Sequence, residues 1–243
     1  MLPLYDDNSG RRLTPYVLWA IFGLNCVVWY LQLTLGEPFT LGYSTIPYEI
    51  VHGVDLRSPK WTTLYGSPQS IPQAPGPSPI YLTLFSAMFM HGSWGHIGGN
   101  MLYLLIFGDQ IEDLLGHARF ALFYFVCGLC AGAAQILSSP ESVIPSLGAS
   151  GAIAGVLGAY LIRFPRNHVQ VLVYNRIVSM PASFVLGGWI IMQLVSQVQV
   201  YSGADSEVAY MAHIGGFAAG VIMILTVGPK PSRESSYFAS ERD

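Results

Sequence analysis

The sequence predicts an all-α polytopic membrane protein, six transmembrane helices in one bundle with both termini cytoplasmic. Three observations lead there. Only 10% of the 243 residues are charged and 52% are hydrophobic, against about 25% charged in an average globular protein. Mean hydropathy is +0.45. The apolar residues fall into six uncharged stretches, 16–35, 80–108, 120–137, 147–162, 177–201 and 208–227, which suit about 30 Å of hydrocarbon at about 1.5 Å of rise per residue. The basic residues are divided unevenly between the two sides that these spans define.

Residues 1–15 are a short polar segment carrying Arg11 and Arg12. Span one is too long for a signal-peptide core and no small-x-small cleavage site follows it, so it reads as a retained signal anchor. The outer loop 36–79 contains eight prolines, ending in Pro68, Pro72, Pro75, Pro77 and Pro79, and its last part is expected to hold little regular helix. Its middle mixes Tyr48, Ile50, Val51, Leu56, Trp61 and Leu64 as a half-immersed headgroup segment does. Arg119 lies between spans two and three, Arg163, Arg166 and Arg176 between four and five, and Lys230, Arg233 and Arg242 after six. Together with Arg11 and Arg12 these put nine basic residues on one side, whereas only Arg57 and Lys60 lie on the other. Cytoplasmic flanks carry the excess of Lys and Arg, which sets the orientation. Residues 16–228 thus read as the membrane domain and 229–243 as a cytoplasmic tail.

Composition also excludes functions. Eleven Lys and Arg against fourteen Asp and Glu give a formal charge of −3, and no basic block exists to neutralise a run of phosphates, so nucleic acid is no partner. The apolar content excludes intrinsic disorder. Cys26, Cys127 and Cys130 all lie in apolar runs and read as small packing residues rather than a disulfide framework.

Polar groups inside a membrane are costly, so those within spans are functional candidates. Span two carries His91, His96 and Asn100, span four opens with Gly148-Ala149-Ser150-Gly151, and span six carries His213. Ser150 lies thirteen residues from Arg163, His213 fourteen from Val227 and His96 thirteen from Asp109. Each is therefore roughly 20 Å from the inner boundary, at one common level. Asn100 stands one turn deeper on the face of His96 and leans toward the outer end. Gly151-x-x-x-Gly155 follows the serine and Gly216-x-x-x-Gly220 follows the histidine, and small faces of this kind let two helices touch. That contact would bring hydroxyl and imidazole within hydrogen-bonding reach.

A serine hydroxyl becomes a nucleophile when a base takes its proton, and neutral histidine is the usual base. Ser150 and His213 supply that pair. No Asp or Glu lies within any span, and Asp205 and Glu207 precede His213 in an outer loop, so a dyad is expected rather than a triad. Asn100, His96 and the Ser150 backbone N–H are available as donors to an oxyanion. Gly148 and its neighbours permit the tight turn and close substrate approach. Hydrolysis at this depth requires a cavity open to the outer side. A zinc site from His91, His96 and His213 is the alternative use of these groups, but no Glu or Cys stands with them. His52, His117 and His168 lie in loops or flanks and receive no role. No cofactor is required.

These motifs resemble those of the rhomboid family of intramembrane serine proteases. His91 and His96-Ile-Gly-Gly-Asn100 are similar to its histidine-asparagine element, Gly148-Ala149-Ser150-Gly151 to its GxSG motif, and Ala212-His213-Ile214-Gly215-Gly216 through Gly220 to its AHxxGxxxG helix. Gly108, Glu112 and Gly116 resemble its GxxxExxxG turn. The resemblance implies a six-helix fold and cleavage of transmembrane protein substrates within the lipid bilayer. It makes Ser150 the nucleophile and His213 the base, with Asn100, His96 and the Ser150 amide as the oxyanion hole. Two departures stand out. The Trp-Arg pair that many members carry in the first outer loop is represented by Lys60-Trp61-Thr62, and the tyrosine that some members stack on the histidine is replaced by Ala154. The alternative reading is a rhomboid-like pseudoprotease that binds membrane segments without cutting them, although such relatives typically lose the serine or the histidine. The short polar start of the chain fits a prokaryotic cytoplasmic membrane.

Overall fold

The computed structural model of the chain describes residues 2–6, 10–202, 208–226 and 228. The chain opens with strand β1 (Leu2–Asp6) and then helix α1 (Tyr16–Leu35), which Pro15 precedes and Gly36 ends at φ +80°. Two short helices follow, α2 (Glu37–Tyr43) and α3 (Pro47–His52), the second stopped by Gly53 in the left-handed region. Strands β2 (Lys60–Leu64) and β3 (Ser67–Ile71) make an antiparallel hairpin. Its turn residues Tyr65 and Gly66 both have positive φ, as a two-residue hairpin turn demands. Beyond 52 the loop has no helix until residue 80, in keeping with its prolines.

The expected second span is not one helix. Residues 80–89 form short turns around helix α4 (Thr83–Ser86), the chain breaks at 90–93, and helix α5 runs over Trp94–Leu115. Two side chains fix the break. The Gln32 amide of α1 pairs with the His91 backbone, its Nε2 donating to the carbonyl and its Oε1 accepting the N–H, both at 2.9 Å. Ser93 then caps α5 by accepting the His96 N–H at 3.1 Å. At its other end α5 runs on past the expected limit, because its acids are paired. Asp109 meets Arg11 at 2.9 Å, and Glu112, fully buried, accepts the N–H groups of Val17 and Leu18 at the start of α1 and bonds His117 Nδ1 at 2.5 Å.

Helix α6 (His117–Ser138) leads through a loop to helix α7 (Ser150–Arg163). Strands β4 (His168–Val173) and β5 (Arg176–Pro181) come next, then helices α8 (Ala182–Tyr201) and α9 (Tyr210–Thr226). The structure is thus mostly helical but not exclusively so. β1 joins β4 and β5 in a three-stranded antiparallel sheet, which takes the residues expected to begin the fifth span and starts α8 only after Pro181. Alternation in β4 buries Val169 and Val171 fully against the core.

α7 is the axis of the bundle, with every residue from Gly151 to Tyr160 buried. α1, α6 and α8 are long and apolar enough to cross a membrane, whereas α7 and α9 are apolar but shorter. α1 and α8 bury only 22% of their most apolar windows, and their exposed Trp19, Val27, Leu33, Phe184, Ile191 and Val198 need a lipid covering. Cys127 is a buried packing residue as expected, but Cys26 and Cys130 point outward.

Candidate active site

Glycines set the frame. A Cβ on Gly216 would overlap the Gly151 carbonyl oxygen, and one on Gly220 would overlap that of Gly155, so α7 and α9 touch backbone to backbone along the two expected faces. Cys127 of α6 packs on the other side of Gly155, where a Cβ would come within 2.5 Å of its sulfur. Ser150 stands at the first position of α7 and His213 in the first turn of α9. The close approach brings Ser150 Oγ to 2.8 Å from His213 Nε2.

Gly148 turns the chain into α7 at φ +135°, and its N–H donates to the Ala87 carbonyl at 2.8 Å. A Cβ there would stand 2.9 Å from both Cε1 and Nε2 of His96, so the loop lies directly on that ring. The Gly92 N–H donates to His96 Nδ1 at 3.3 Å. With Nδ1 accepting, the proton of a neutral imidazole belongs on Nε2, the nitrogen facing the serine loop. Asn100 is buried, and its Nδ2 has no partner among the described residues. His91 lies beneath, almost fully buried, its ring 5.1 Å from that of His96.

Ser150, His213, His96, Asn100, Trp189 and Tyr210 line a cavity of about 890 Å³, which extends to Ser139 and Ser142 and to Pro47 and Leu64 of the loop 36–79. Ser150 and His213 thus stand at a cavity. Among the described residues no Asp or Glu lines it, and Asp205 and Glu207 lie outside the described residues, as does the tail 229–243.

Sequence reasoning missed two residues of α8. Gln193 Oε1 lies 2.8 Å from His213 Nδ1, and the Trp189 ring lies 5.7 Å from the imidazole at 40°. They flank the histidine in a chain whose α7 carries buried Ala154, rather than an aromatic residue, one turn after Ser150. A polar amide inside a span is a general signal of function, but nothing in the sequence pairs Gln193 with His213.

A hydroxyl hydrogen-bonded to an imidazole, beside buried N–H donors and a cavity, can attack a carbonyl and stabilise the oxyanion that results. The Rhomboid domain family matches residues 79–230, a range that contains all of these side chains. Rhomboid-like protein 11, chloroplastic, from Arabidopsis thaliana is 26% identical over 164 residues, covering 63% of this chain and 55% of that protein. Rhomboid protein 1, mitochondrial, from Saccharomyces cerevisiae is 32% identical over 149 residues, covering 58% and 40% respectively. Rhomboid protease GluP from Bacillus subtilis is 30% identical over 145 residues, covering 60% and 26%. The chain spans about half, or less, of the length of these relatives. With the family match across more than half of its length and its exposed apolar helices, the chain is an integral membrane protein that belongs to the rhomboid family.

Proposed function

We propose that this chain is an intramembrane serine endopeptidase that cleaves a peptide bond in or near the transmembrane segment of another protein. The observation that carries the reading is the 2.8 Å contact between Ser150 Oγ and His213 Nε2 at a cavity inside an apolar bundle. In the proposed reaction His213 Nε2 takes the Ser150 proton as Oγ attacks the scissile carbonyl. The oxyanion is met by the Asn100 amide, His96 Nε2–H and the Ser150 N–H at the positive end of α7. His213 then protonates the leaving amine, and a water molecule from the cavity repeats the sequence on the acyl-enzyme. Glycines 148, 151, 155, 216 and 220 act by keeping these groups in register.

The same reading has α1, α5, α6, α7, α8 and α9 crossing the bilayer as one domain, 16–228, with both termini cytoplasmic. Pairing of β1 with β4 supports it, since that pairing puts the start of the chain on the side of the loop holding Arg163, Arg166 and Arg176. The test is reaction of the purified protein in detergent with a fluorophosphonate probe, alongside cleavage of a transmembrane reporter. Labelling and cleavage by the native chain, both lost in Ser150→Ala and His213→Ala, are expected. A folded native chain that neither labels nor cleaves in several detergents would instead identify a pseudoprotease.

A further inference from the structure

His213 is engaged at both ring nitrogens. Nε2 faces Ser150 Oγ and Nδ1 faces Gln193 Oε1, each at 2.8 Å. An amide oxygen only accepts, so the Nδ1 position must carry hydrogen, which leaves the Nε2 lone pair directed at the serine. In the opposite tautomer an N–H would face the hydroxyl and the serine proton would have no acceptor. The glutamine stands four residues beyond Trp189, and that spacing puts both on one face of α8, where the indole flanks the ring that the amide holds. Gln193 is 9% exposed and, unlike Trp189, does not line the cavity. It meets the histidine from behind the cavity lining.

We infer that Gln193 is the positioning residue of the site, an uncharged third member that fixes the tautomer and orientation of His213 where soluble serine proteases use a carboxylate. The setting favours an amide. Glutamine presents an acceptor oxygen with no charge to desolvate, and a glutamate at this depth presents the same oxygen when it carries its proton. With alanine at position 154 of α7, Gln193 and Trp189 of α8 supply the support for the ring. This assignment rests on the reading of Ser150 and His213 as the catalytic pair.

The test compares full-length native protein, Gln193→Met, Gln193→Glu and Ser150→Ala for cleavage of a transmembrane reporter over a range of substrate concentrations. Methionine matches glutamine in size but lacks the acceptor, and glutamate restores it. Loss of one orienting hydrogen bond is expected to lower kcat about 10- to 100-fold in Gln193→Met while KM stays within about 2-fold, with most of kcat recovered in Gln193→Glu. A Gln193→Met variant with native kcat overturns the assignment. So does an equal loss in the methionine and glutamate variants accompanied by a lower unfolding temperature, which marks a packing role. An inert native chain overturns the protease reading itself, and no Gln193 variant is needed to see it.

Discussion

Gly148 has two independent reasons to be glycine, a φ of +135° and the His96 ring against its α-carbon. Gly148→Ala adds backbone strain of about 1–3 kcal/mol and must push His96 or the serine loop aside, so probe labelling of Ser150 is expected to fall at least about 10-fold. Labelling at the native rate would show that the loop yields freely. Asn100 is the matching case for a donor. In the proposed reaction Asn100→Ala removes one oxyanion hydrogen bond, so kcat is expected to fall by about 10²-fold while the protein stays folded, as measured with the same reporter. Both residues are legible in the sequence, since each stands in a motif with the serine or with His96. Gln193 is not, because twenty residues and a loop separate it from His213 and helical phase does not carry across a loop. Ser150 and His213 escape that difficulty through their glycine faces, which state the partner helix as well as the residue.

Between elements, the α7–α9 seam depends on the absence of side chains. Gly216→Val drives a branched side chain into the Gly151 carbonyl and is expected to cost about 1–3 kcal/mol or more of stability while separating Ser150 from His213. Gly188→Ala on α8 meets nothing within 4 Å and is the neutral control, both variants being compared by thermal unfolding and probe labelling. The start of α1 depends instead on Glu112. Replacing it with alanine strips the carboxylate from two α1 N–H groups and from His117, at an expected cost of about 3 kcal/mol read from the unfolding temperature. Hydropathy reveals that six apolar stretches exist, but it is blind to side-chain pairing. The break at 90–93 rests on Gln32 and Ser93, and the extension of α5 past 108 rests on Arg11, His117 and the α1 amides. Neither shows in a running average. The β4–β5 hairpin was hidden for a different reason, because its apolar second strand runs straight into the apolar helix that follows.

Across the whole molecule, the loop 36–79 carries its own response to pH. Glu49 of α3 is buried and accepts the Leu56 N–H at 2.6 Å, yet burial, helped by nearby Asp55, raises its pKa from 4.5 to about 7. A carboxyl group raised in the fold binds its proton more tightly there than in the unfolded chain. Its contribution is therefore complete below about pH 4.5, declines as pH rises toward about 7, and is flat beyond. Protection of the amides at residues 47–56, after division by their intrinsic pH-dependent exchange rates, is expected to fall over that interval in the native protein and to stay level in Glu49→Gln. The opposite face of the molecule is closed by the β1–β4 pairing and by Asp6, which accepts from Tyr160 Oη at 2.6 Å across 154 residues of chain. A ribosome adding about 5–20 residues per second needs roughly 8–30 s to cover that distance. Within that interval α1 keeps its amino end unfastened until Glu112 emerges, and β1 waits longer still. Strand β1 is thus made before α1 to α7 but is locked down only after all of them, when β4 emerges.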